Sequence, residues 1–267
     1  MWDQHMHCAF SGDSTTPPKE MANAALSRGL TGICFTDHHD IDYPKMPEEP
    51  DFLIPFDSYF KEVETLQAEY ETKLNIHIGI ELGLQPQVAE QNAQVLAKHP
   101  FDFCIGSVHV VHHQDPYYGG LFSGRTDEEA FEDYLLATLE NIKAFDGFDV
   151  LGHIDYMVRY CPNQVKNYRP SDFTDLVDEI LTYLISHGKG IEVNTSGYKV
   201  GLNMPHPHPE ILKRYQELGG EILTIGADAH VPDHIAYDFP VAIDLLKELG
   251  FSYYTVFEGH KPQQLPL

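Results

Sequence analysis

The chain carries two histidines one residue apart, His5 and His7 in "DQHMH", and near its other end Asp228 and His230 at the same spacing in "GADAH". Between them stand Asp13, His38 in "TDHHD", Glu81 in "GIELG", His109 in "GSVHV" and His153 in "LGHID". A neutral imidazole offers a cation one nitrogen, and a carboxylate offers two oxygens. Six imidazoles and three carboxylates are more than one ion can use, so the set implies two or three divalent cations. Glu81 is the natural bridge, because an imidazole cannot span two ions. Nitrogen and oxygen donors without thiolate suit Mn, Fe or Zn and argue against a Cys-type structural zinc site. Such a centre attracts phosphate, and a metal-bridging hydroxide would attack phosphorus in line without a covalent enzyme intermediate. The sequence has no G-x-S-x-G elbow, Walker loop or catalytic Cys motif to support another route.

Spacing alone is weak evidence: with 16 histidines in the chain, an H-x-H arises by chance, and His206 and His208 form a second one. Position decides. The runs "LTGICFT", "LNIHIGI", "FDFCIGSV", "FDVLGHI", "KGIEVN" and "GEILTIGA" read as buried parallel strands, rich in Ile, Val and Phe and bounded by turn residues. Amphipathic runs separate them; Phe60, Val63, Leu66 and Tyr70, for example, have helical spacing. With "DQHMH" as the first strand this gives seven βα units, and "SYYTVF" is a candidate final strand. Repeated units of this kind predict an α/β chain folded as one domain, residues 1–267, in a closed or nearly closed parallel barrel like the TIM barrel. Barrel strands end at one face, where active sites sit, and the metal-type residues fall at those ends. His5 and His7 would point to the same side, about 6.5 Å apart at the backbone. A lone histidine at a strand end is ordinarily a hydrogen-bonded core residue; the full set at successive ends is a metal site. The sixth predicted strand, ending in "EVNTSG", is read as supplying no metal-type side chain.

The formal net charge is −24, from 17 Lys and Arg against 41 Asp and Glu. That charge repels nucleic acid and anionic membrane. It would also repel a phosphorylated substrate, unless divalent ions outweigh Asp13, Glu81 and Asp228 and make the pocket positive. A small phosphorylated substrate is therefore the expected partner, with no nucleic acid and no membrane; oligomeric state has no signature here. The four scattered cysteines, the lack of an apolar run near ~18 residues and the absence of a cleavable leader pattern predict a reduced, cytoplasmic protein. We assign structural roles to His77, His99, His187, His206, His208, His234 and His260, the last two without a partner. His39, His112 and His113 flank the pocket in what reads as solvated loop.

Taken together, these motifs resemble the polymerase and histidinol phosphatase (PHP) superfamily. The H-x-H is His5 and His7, T-[DE]-H ends at His38, the glutamate is Glu81, the lone strand-end histidines are His109 and His153, and the closing D-x-H is Asp228 and His230. Many members have His where this chain has Asp13, which leans that position toward a harder ion such as Mn or Fe. The resemblance implies a distorted (β/α)7 barrel with a trinuclear centre. It places His7, Glu81 and Asp228, with His5, near one ion, Glu81, His109 and His153 near a second, and Asp13, His38 and His230 near a third. Glu81, Asp228 and His230 are assigned to catalysis.

Within the superfamily, "GSVHVV", "GHIDYMVRY" and "IEVNTSG" are similar to monofunctional histidinol-phosphate phosphatases. That implies hydrolysis of L-histidinol phosphate to L-histidinol and inorganic phosphate in histidine biosynthesis. Arg159, Lys199 and Arg125 are the candidate phosphate-binding cations, and Asp40 and Asp42 would meet the substrate ammonium. Asp3, Asp37 and Asp155 would orient the neighbouring histidines. The competing readings are a phosphotyrosine-protein phosphatase or nucleotide phosphoesterase of the same superfamily, an amidohydrolase, and a metal-binding protein without enzymatic activity. An amidohydrolase would need a strand-four lysine bridge, and a metal store would favour tandem His tracts.

Overall fold

Strands and helices alternate from the first residues onward in a computed structural model that describes residues 1–44, 51–163 and 167–267. The strands are β1 (Trp2–Met6), β2 (Gly32–Phe35), β3 (His38–His39), β4 (Asn75–Gly83), β5 (Phe103–Ser107), β6 (Val150–Leu151), β7 (Gly190–Asn194) and β8 (Leu223–Gly226). They form one parallel sheet in the order β1-β2-β4-β5-β6-β7-β8. The short β3 pairs with β4 in the register β2 already holds, Phe35 facing Ile78 and His38 facing Glu81. It therefore continues β2 towards the site. The two ends of the sheet meet where Asp228 N–H donates to the His5 carbonyl and His7 N–H to the Ala229 carbonyl, each at 2.8 Å. The result is the distorted, nearly closed (β/α)7 barrel expected.

Helices α1 (Pro18–Ser27), α2 (Phe56–Tyr70), α3 (Ala89–Lys98), α4 (Asp127–Ala144), α5 (Thr174–Ser186), α7 (Pro209–Glu217) and α8 (Phe239–Glu248) follow the strands, and a one-turn α6 (Ser196–Lys199) stands just after β7. Sequence explains their ends and faces. Thr126 and Glu129 form a reciprocal capping box that starts α4. In α5 the buried side chains are Val177, Ile180, Leu181 and Leu184, one helical stripe against the sheet. Burying each such aliphatic side chain stabilises the fold by about 1.5–3 kcal/mol.

"SYYTVF" does form a strand, β9 (Tyr253–Glu258), but not a barrel strand: it pairs antiparallel with β10 (Lys261–Pro266). The two are joined by Gly259 and His260, both with positive φ (54° and 60°), as a tight primed turn requires. This hairpin packs at the N-terminal mouth of the barrel. Gln4 Nε2 donates to the Thr255 carbonyl at 2.5 Å, and Phe257 stacks on Phe103 with ring centroids 5.1 Å apart. His260 is not partnerless, as expected above; its Nδ1 lies 2.8 Å from Asp149 Oδ2. Among the described residues, no helix is long and apolar enough to cross a membrane.

Candidate metal centre

At the C-terminal mouth, the strand ends bring all nine predicted metal-type side chains into one cluster around Glu81. Its Oε2 lies 2.9 Å from His38 Nδ1, 3.3 Å from His5 Nε2 and 3.6 Å from His7 Nε2. Its Oε1 lies 3.0 Å from His153 Nε2 and 3.3 Å from His109 Nε2, and accepts a 2.6 Å hydrogen bond from Ser107 Oγ. Asp228 Oδ1 stands 3.3 Å from His7 Nε2 and 3.8 Å from His5 Nε2. Asp228 adopts a left-handed backbone (φ 52°), strain of the sort that persists at functional sites, just where the barrel closes. Further out, Asp13 Oδ2 lies 3.0 Å from His230 Nε2 and 3.6 Å from His38 Nε2. Glu81, His5 and His7 are fully buried, whereas the Asp13 side chain is 39 % exposed.

The donor set fits cations. The Nδ1 of four rings is occupied: His5 on Glu192, His7 on Ser11, His109 on Asp40 and His230 on the Asp228 carbonyl. A carboxylate only accepts, so neutral rings at His5 and His109 carry their protons on Nδ1 and turn Nε2 lone pairs inward. Ser11 gives its own proton to Asp37 Oδ1 at 2.8 Å, and so accepts from His7 in the same way. Inward-facing nitrogens then meet each other, His5 Nε2 against His7 Nε2 at 3.1 Å and His109 Nε2 against His153 Nε2 at 3.4 Å. Glu81 Oε2 and His38 Nδ1, both buried, face each other at 2.9 Å in a geometry that makes no aligned hydrogen bond. Three overlapping groups, His7–His38–His230, His5–His7–Glu81 and His38–Glu81–His109, each gather donor atoms within 4.8 Å of one another. Without a cation among them the charges must balance by protonation. Burial raises Glu81, yet the rings of His5, His38 and His109 hold it well below the usual carboxylate range. Burial opposes charge on His109, and Asp40 and Glu81 outweigh it, lifting the ring to about 10. Burial and the neighbouring rings of His230 and His38 push His7 well below its ordinary value.

An open cleft of about 500 Å³ leads to this cluster. Arg159 lines it, with Nη2 3.7 Å from Asp228 Oδ2 and 2.6 Å from Ser196 Oγ. Asp115 lines it too, held by a 2.7 Å hydrogen bond from the Tyr43 hydroxyl. Lys199 reaches the Asp228 carbonyl at 3.2 Å. Arg125 is not among the lining residues; it sits on the surface in an ion pair with Asp133, which also holds His112. Asp40 lines the cleft with its Oδ1 engaged by His109, whereas Asp42 is exposed and bonded to Gln87. His39 is buried, accepting from Ile54 N–H, rather than solvated. Of the acids expected to orient histidines, Asp37 acts through Ser11, Asp155 holds His206 instead (2.5 Å), and Asp3 ties backbone N–H groups of Ala227 and Ala236. Sequence reasoning missed Glu192. A charged residue inside the apolar run "GIEV" was the available signal.

The PHP domain model matches residues 3–196. The chain belongs to the PHP domain family. A histidinol-phosphatase of Lactococcus lactis subsp. lactis (strain IL1403) is 34% identical over 260 residues, 97% of this chain and 95% of the relative. The crystal structure of a histidinol phosphate phosphatase from Lactococcus lactis subsp. lactis Il1403, complexed with zinc, L-histidinol and phosphate, superimposes with a TM-score of 0.90 at 33% identity, covering 98% of both chains. A Listeria monocytogenes structure with a TM-score of 0.75 and 20% identity covers 90% of this chain and 99% of its own, and shares the PHP fold. The family match stops before β8, so Asp228 and His230 join the site through barrel closure rather than through the matched segment.

Proposed function

We propose that this protein is a histidinol-phosphatase, a metal-dependent phosphomonoesterase that hydrolyses L-histidinol phosphate to L-histidinol and inorganic phosphate in histidine biosynthesis. The observation that carries this reading is the end-to-end likeness to the Lactococcus lactis enzyme complexed with zinc, L-histidinol and phosphate. The whole chain, 1–267, acts as one unit, with the β9–β10 hairpin closing one mouth and the reaction at the other.

In this reading His5, His7, Glu81 and Asp228 hold one divalent ion, Glu81, His109 and His153 a second, and Asp13, His38 and His230 a third. Zinc is the first choice among Zn, Mn and Fe. When bound, such ions supply an activated water and offset the charge on the phosphate oxygens. Glu81 turns one oxygen to each side of the cluster and would be shared between the two groups of ligands. Arg159 donates charge-assisted hydrogen bonds to the phosphate, and Lys199 adds a second cation beside Asp228. Asp115 and Asp40 offer carboxylates to the cationic amino-alcohol end of the substrate. The departing alkoxide must take up a proton; Asp228 and His230, which line the cleft, are the catalytic candidates together with Glu81.

The test is phosphate release from L-histidinol phosphate, a phosphotyrosine peptide, nucleoside monophosphates and a phosphodiester, each with Zn, Mn or Fe. The expected outcome is a kcat/KM for L-histidinol phosphate at least about 100-fold above the rest, abolished by a chelator and restored by metal. Slow hydrolysis across the whole panel would leave the metal chemistry standing and point to another PHP-type phosphoesterase.

A further inference from the structure

The end of β7 supplies none of the predicted donors, yet the strand touches three of them, His5, His153 and Asp228. Glu192, in the middle of β7, is 1 % exposed. Its Oε1 lies 2.5 Å from His5 Nδ1, and its Oε2 accepts from the His153 backbone N–H at 3.1 Å and from Asn194 Nδ2 at 3.2 Å. Among the described residues its ion-pair partner is His5 alone, with no Lys or Arg. A carboxylate buried this way is unfavourable unless its hydrogen bonds serve a purpose a hydrophobic side chain could not. The neighbouring strands make room for it. A Cβ on Gly226 would stand 2.7 Å from Glu192 Oε1 and 2.3 Å from His5 Cβ; one on Gly152 would meet Glu192 Oε2 at 3.5 Å and Ser107 Oγ at 2.5 Å.

We propose that Glu192 is a positioning residue of the metal centre: it fixes the ring of His5 and the main chain at His153, and is not itself a ligand. Both of its oxygens are engaged by the groups it aims. Because it only accepts, it holds the His5 proton on Nδ1 and leaves Nε2, 3.3 Å from Glu81 Oε2, free to face a cation. Asn194, two residues on, extends the same service. Its Nδ2 lies 3.4 Å from Asp228 Oδ2, and its Oδ1 accepts from Ser196 Oγ, the hydroxyl that meets Arg159. The strand without ligands thus links both sides of the cluster to the cleft arginine.

This inference rests on reading the cluster as a metal centre, and the two can fail separately. Zinc alone is the probe, measured by competition with a chromophoric chelator and by metal content after dialysis, on the full chain. In Glu192→Gln the amide can present either a donor or an acceptor to His5, so the ring loses its fixed tautomer. The expected result is zinc affinity lowered by about 10- to 100-fold, with the parent's secondary structure and a KM for substrate close to the parent's. Parent-like zinc affinity and stoichiometry in Glu192→Gln overturn the positioning role; failure of the parent chain itself to bind zinc overturns the metal centre, and this inference with it. The unmutated chain gives a second readout that needs no variant to fold. In a long-range proton–nitrogen spectrum of the zinc-loaded protein, the His5 ring carries its proton on Nδ1, and a proton on Nε2 would overturn the proposal.

Discussion

Histidine–carboxylate pairs stand at both mouths of this barrel, and they are built differently. At the N-terminal mouth the pair is complete. His260 meets Asp149 and is half exposed, while Asp102 takes the Gly259 N–H through its side chain and the His260 N–H through its carbonyl. The pair pins the β9–β10 hairpin. At the C-terminal mouth one carboxylate, Glu81, faces five ring nitrogens, and several buried donors and acceptors have no partner of their own. The same residue types therefore make a clamp where they satisfy one another and a site where they are left to satisfy something else. Buried polar groups are rarely left unpaired without a functional reason.

Substitutions should separate the two mouths. The largest effect belongs to Glu81→Gln, which removes the shared charge. We expect the fold to be retained while kcat/KM falls by two to three orders of magnitude or so and zinc content drops, measured by phosphate release and elemental analysis. A fully active Glu81→Gln chain would break the comparison outright. Arg159→Ala comes next, with kcat/KM down by about 10- to 100-fold and metal content unchanged, since it removes charge-assisted hydrogen bonds worth about 1.5–3 kcal/mol. Arg125→Ala is its control and should leave kinetics untouched. Asp13→Ala tests a gradient within the site. Burial raises its carboxyl, but His38 and His230 hold it well below the usual range. Being on the open rim, it should weaken the most weakly held ion by about tenfold and spare the others, as metal titration would reveal.

The smallest effect is at the other mouth. The hydrogen bond to Asp149 raises the His260 pKa although burial opposes it. A raised folded-state pKa means stability fully present below the unfolded value near ~6.5 and lost as pH rises through the folded one. His260→Ala should therefore lower stability by about 0.5 kcal/mol at acidic pH and by less at alkaline pH, in denaturant melts, with zinc binding and turnover unchanged. A change in turnover would show that the two mouths are coupled.

The metal-type residues were readable because catalytic donors must sit at strand ends, and strand ends can be marked where an apolar run gives way to polar residues. The helical stripe of Val63, Leu66 and Tyr70 was equally plain, since a buried face imposes its period on the sequence. The partners of those residues were not. Glu192 looked like an interruption in a strand, and Asp155, next to a predicted ligand in sequence, turned out to hold His206 from a distant loop. Asp155 lies in a turn beyond β6, where no strand alternation fixes side-chain direction, so nearness in the chain says little about which acid meets which ring. The final strand misled for a related reason: "YYTVF" has β composition wherever it pairs, and only the Gly259–His260 turn sends it back along itself instead of into the barrel.

By itself, then, the sequence determined the donor inventory, the βα alternation and the acidic charge that makes a cationic pocket necessary for a phosphorylated substrate. These are local or compositional properties, set residue by residue. The tertiary structure decided which nitrogen of each histidine faces inward, which carboxylate fixes it there, and which of three candidate cations stands in the cleft. Those depend on hydrogen bonds between residues as far apart as His5 and Glu192, whose meeting is specified only when the barrel closes.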